Sequence, residues 1–140
     1  MNIICKYCGK ETGVFCIQFG TTYFPSRDWD DFCIPIVSDW IDTVNRSCPG
    51  SAFQLYFMDG PYYLLCHRDK HQILIRAVDD HDGSVRIEES VPFRKLQTQL
   101  LEIAKMLLTY RDKSDNCDSD FGLLQAGLKM LEQGNPRFRR

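Results

Sequence analysis

A chain of 140 residues with 19 acidic against 17 basic side chains carries a formal net charge of −2, which argues against a nucleic-acid binder, since these show a basic excess. Its length suits one domain spanning residues 1–140, able to bury roughly two-thirds of its unfolded surface. At 44% hydrophobic and 26% charged residues the composition is that of an ordinary globular protein, and no apolar run approaches the roughly eighteen residues of a membrane span.

The N-terminal stretch Met1 to Gly13 has no basic region followed by an apolar one, so no secretory signal is expected. The seven cysteines are an odd number, which without a signal fits free thiols in a reducing cytoplasm better than a disulfide framework. Asn2 to Tyr7 reads as a short strand and Cys8 to Gly13 as a turn. Val14 to Phe19 alternates, with Phe15, Ile17 and Phe19 on one side, which predicts an N-terminal hairpin. Gly20 to Asp31 is polar and aromatic and reads as a loop. Pro35 removes a ladder donor, so Phe32-Cys33-Ile34 reads as an edge strand or extended connector. A short helix is expected from Asp39 to about Asn45, capped by Ser38, with Trp40, Ile41 and Val44 inward.

Ala52 to Val78 carries the plainest pattern. Phe53, Leu55 and Phe57 alternate with Gln54, Tyr56 and Met58, and Asp59-Gly60-Pro61 breaks the run. Tyr62 to His67 and Gln72 to Val78 follow across the turn Arg68 to His71. Strands so closely spaced pair antiparallel, because a parallel crossover needs a dozen or more residues. Asp79 to Gly83 makes another turn, and Val85 and Ile87 a short fourth strand. Phe93, Leu96, Leu100, Ile103, Leu107 and Tyr110 then repeat at helical spacing, with Pro92 in the first turn. After a polar, acidic linker from Arg111 to Ser119, Phe121, Leu124, Leu128 and Leu131 mark a second helix, capped by Asp118 or Ser119 and stopped by Gly134-Asn135-Pro136. The tail Arg137 to Arg140 is expected to fray. The whole predicts an α+β domain, an antiparallel meander with one face covered by two C-terminal helices.

Among candidate chemistries, Cys5-Lys6-Tyr7-Cys8-Gly9 has the form of half a zinc site. Four ligands are needed, and only Cys16, with Cys33 or a histidine, offers the remainder; two ordinary cysteines are the plainer reading. Cys66 and His67 are neighbours on a strand and point to opposite faces, so they cannot act as nucleophile and base. His67 and His71 flank a tight turn as solvated side chains. Asp79 to Gly83 lacks the ligand pattern of a calcium loop. No phosphate loop or hydrolase motif occurs, and no enzyme is expected.

Charge is clustered. Arg27 to Asp42 holds five aspartates against one arginine, Asp79 to Glu89 five acids against one arginine, and Asp112 to Asp120 four aspartates against one lysine. Charged turns serve solubility, yet an acidic rim also attracts a basic partner. Trp29, within Arg27-Asp28-Trp29-Asp30-Asp31, is either an interface anchor or a residue pinning its loop.

The layout from about Val14 to Leu131, with the strand–Gly-Pro–strand element Phe53 to His67 and the helix after Val91, resembles the immunity proteins of bacterial polymorphic and contact-dependent toxin systems. The resemblance implies a cytoplasmic, non-catalytic protein that occludes one cognate toxin domain, such as a nuclease. It does not extend to the N-terminal cysteine pair, which suits instead a small zinc-stabilised adaptor. For the toxin-binding reading, charge and loop placement select Asp28, Trp29, Asp30, Asp31, Asp79, Asp80 and Asp82 as partner-binding residues; a metal, if bound, would take Cys5 and Cys8.

Overall fold

A computed structural model describes residues 1–110 and 118–134. The chain begins with β1 (Asn2–Lys6) and β2 (Gly13–Phe19), the expected hairpin, paired from Asn2 opposite Gln18 to Lys6 opposite Val14. The stretch read as a loop contains two short strands, β3 (Thr22–Phe24) and β4 (Asp30–Asp31), both pairing with β2. Each is too short to show a period, and the pairing comes from β2 rather than from their own residues.

The helix α1 (Cys33–Arg46) is twice the predicted length and replaces the expected connector. Pro35 was the misleading residue. It occupies the third helical position, where a missing N–H is harmless because the first turn has no acceptors for its donors. The ladder starts one residue later, with the Ile36 N–H donating to the Phe32 carbonyl at 3.1 Å. Ser38 therefore lies inside the helix and caps nothing. Ile36, Val37, Trp40, Ile41 and Val44 form its buried stripe, each large side chain contributing about 1.5–3 kcal/mol by leaving water.

Strands β5 (Ala52–Tyr56), β6 (Tyr62–Arg68), β7 (Gln72–Asp79) and β8 (Ser84–Pro92) form the antiparallel meander in the order β5-β6-β7-β8. The fourth strand is longer than Val85 and Ile87 alone suggested, because β7 supplies partners as far as Gln72, opposite Pro92. Ala77 faces Ile87 and Val78 faces Val85, so Arg86 is the extra residue of a bulge. Such a bulge re-aims a side chain; here Arg86 reaches Asp79.

Helices α2 (Phe93–Leu108) and α3 (Asp118–Gly134) follow as the spacing predicted, burying Phe93, Leu96, Leu100, Leu107 and then Phe121, Leu124, Leu128, Leu131. The fold is α+β. The hairpin strands form a sheet separate from the meander, α1 lies against β5 and β2, α2 against β1 and β8, and α3 packs chiefly on α1 and α2. Gly127 permits that last approach: a Cβ there would come within 2.9 Å of Ile41 Cγ2. One continuous cluster of buried side chains draws on both sheets and all three helices. The predicted linker and basic tail, and with them Cys117, lie outside the described residues. Among the described residues no helix is long and apolar enough to cross a membrane.

Candidate functional site

The turn between β5 and β6, Phe57 to Pro61, is where the sequence's acidic loops meet. Its backbone is held from both sides. On one side the Asp59 N–H donates to both carboxylate oxygens of Asp31, at 3.1 and 3.2 Å. On the other the Asp80 N–H donates to the Pro61 carbonyl at 2.7 Å. Tyr62, the first residue of β6, stands opposite Asp79 and meets the Trp29 ring edge-to-face at 5.2 Å. Below the turn, Phe15, Phe24, Trp40, Phe57 and Tyr62 form a chain of edge-to-face contacts between 5.1 and 6.0 Å. Packed rings of this kind hold each other's orientation, so the acidic loops rest on a rigid base. Trp40 adds a hydrogen bond from its indole to the Tyr56 carbonyl at 2.8 Å.

The seven residues selected from sequence divide into two groups. Asp31 is 1% exposed and Asp79 4%, and neither can meet a partner. Asp31 also accepts from the Phe32 N–H at 2.8 Å and the Trp29 indole at 3.1 Å, and so fastens its own stretch to the β5–β6 turn. Asp79 accepts from Arg86 and from the His81 N–H at 3.0 Å. Trp29 is half-buried and pins its loop, its carbonyl also taking the Phe15 N–H at 2.8 Å. Asp28, Asp30, Asp80 and Asp82 are exposed. Asp28 holds a left-handed φ of 59° and lies 3.9 Å from Lys6, both side chains well solvated, a pair of little energetic worth. The Ser84 hydroxyl, and then its N–H, hold the Asp82 carboxyl below the usual range, which keeps it charged.

Sequence reasoning missed Asp59, the exposed acid at the centre of the site. Its place in a Gly-Pro turn was legible, but nothing local signals that this turn lies between the two acidic loops. Gly60 takes a φ of 76° there, and a Cβ would fall 2.8 Å from Tyr62 Cε2, so only glycine fits without displacement.

The cysteines do not form the cluster that the spacing offered. Cys5 stands opposite Phe15 and Cys16 opposite Ile4, which puts the two thiols on opposite sides of the hairpin. The Cys5 thiol lies against Cys33, which together with burial pushes it above the ordinary thiol range, while Cys8 is exposed. Among the described residues no three His, Cys, Asp or Glu side chains converge as metal ligands. Cys66 is buried and its thiol pushed up to about 12 by that burial, while His67 points to solvent, so the two do face opposite ways.

No protein-family model, no curated protein and no solved structure matches this chain.

Proposed function

We propose that the chain is a non-catalytic binding protein whose acidic end captures a basic macromolecule, specifically a toxin domain that it neutralises by covering its working surface. The observation that carries this reading is the meeting of two acidic loops, far apart in sequence, around the Asp59 turn, with Asp28, Asp30, Asp59, Asp80 and Asp82 all exposed. The buried aromatic base beneath them lets the carboxylates keep fixed positions, which favours complementary recognition over diffuse attraction. Such a surface imitates the row of negative charges on a phosphate backbone, which a nuclease is built to bind. Resemblance in layout to immunity proteins points the same way.

Co-expression with the C-terminal domain encoded by the gene immediately upstream tests the reading. The expected result is a stoichiometric complex and growth rescued from that domain's toxicity. A metabolic gene in that position, or a toxic domain that neither binds nor is silenced, contradicts it.

A further inference from the structure

We infer that the solvent-facing side of the β5–β8 sheet, at the end bordered by the acidic turns, is the docking surface, and that its occupant is an arginine-bearing segment of the captured protein. The inference rests on the binding reading above and assigns it a surface. Strand alternation sends Leu55, Leu64, Ile75 and Ala77 to the core and leaves Tyr56, Tyr63 and Val85 on the opposite side, with Val78, only 4% exposed, covered between them. With Val78 these are successive partners across all four strands, so they form one row that crosses the sheet perpendicular to its strands. Tyr56 and Val85 are each 50% exposed. The rings of Tyr56 and Tyr63 lie 5.6 Å apart at 41°, and Ala52, Phe53, Gln54, Tyr56 and Leu65 line an open depression alongside them.

Charge specifies the occupant. Along the chain Tyr56 lies three residues before Asp59, Val78 two before Asp80 and Val85 three after Asp82. No ion pair among the described residues engages Asp59, Asp80 or Asp82. The nearby cations are committed: Arg76 to Glu88 at 2.7 Å across this same face, and Arg86 to Asp79. The exposed Tyr56 ring, bordered by carboxylates that make no ion pair among the described residues, suits a guanidinium, which stacks on a ring while donating to carboxylate oxygens. A lysine would satisfy the charge and leave the ring faces largely unused.

The test is binding of the purified upstream-encoded C-terminal domain to this chain and its variants by calorimetry. Tyr56→Ala is expected to weaken binding about 30-fold, in the range of an interface anchor. Val85→Lys should weaken it at least about tenfold through like charge, whereas Val85→Glu stays within about threefold of the native chain. Glu102→Ala, on the exposed side of α2, serves as the control. Circular dichroism and melting confirm that each variant is folded, as substitution at half-exposed positions allows. If the domain binds but Tyr56→Ala and Val85→Lys bind as the native chain does, the surface is wrong and the binding reading stands. Equal losses with Val85→Lys and Val85→Glu overturn the charge assignment of the occupant. If the native chain does not bind the domain, both the surface and the reading fall.

Discussion

Replacing Asp31 with alanine separates a carboxylate that builds the site from one that meets a partner. The side chain is 1% exposed and accepts from three donors, two in its own stretch and one across in the β5–β6 turn: the Phe32 N–H at 2.8 Å, the Trp29 indole at 3.1 Å and the Asp59 N–H at 3.1 Å. Hydrogen bonds to a charged group contribute about 1.5–3 kcal/mol each, and orphaned donors lose comparable amounts when water cannot reach them. Water does reach the Asp59 turn, which is exposed, and removing a buried charge returns part of its desolvation cost. The expected net loss is therefore about 2–4 kcal/mol, well short of the gross sum. Asp31→Asn keeps one acceptor and should lose about half as much. Urea unfolding followed by circular dichroism measures both, with an unchanged m-value as the condition for comparison. Trp29→Phe removes the indole donor, so in a double-mutant cycle its cost should shrink in the Asp31→Ala background. A loss below about 0.5 kcal/mol for Asp31→Ala, the range of an ordinary surface substitution, would refute the fastening role.

Two further predictions follow from the same geometry. Gly60→Ala places a Cβ 2.8 Å from the Tyr62 ring at a φ of 76°, and should destabilise the chain by about 1–3 kcal/mol in the same urea assay. Cys66 is raised from an ordinary value of 9.0 to about 12 by burial. A raised folded value means that its contribution is complete below pH 9.0 and is lost as pH rises towards about 12. The stability difference between the native chain and Cys66→Ala should therefore narrow across that window; a constant difference contradicts the buried neutral thiol.

Much of the fold was legible in the sequence, for a physical reason. The meander is written in period-two alternation and in the Asp59-Gly60-Pro61 break, and α2 and α3 in three-and-four spacing. These patterns are local, so they survive without knowledge of the neighbours. The start of α1 was hidden because one residue type has opposite meanings: Pro35 ends a strand but is harmless in a helix's first turn. The site was half legible. Asp28, Asp30 and Asp31 look alike in sequence, and only the donors of Trp29, Phe32 and Asp59 decide that the last of them is buried. Asp79 and Asp80 divide in the same way, because the bulge at Arg86 turns a cation towards the first. Tyr56 counted as the polar half of an alternation, which concealed its pairing with Tyr63 on the outer face.

The most direct measurement of the central claim is the association rate of the chain with the upstream-encoded basic domain, followed by stopped flow as ionic strength rises. With Asp59, Asp80 and Asp82 all replaced by asparagine, the rate at low salt should fall by about tenfold or more and its dependence on salt should flatten, since steering is what those charges supply. An unchanged rate and an unchanged salt slope would contradict the account.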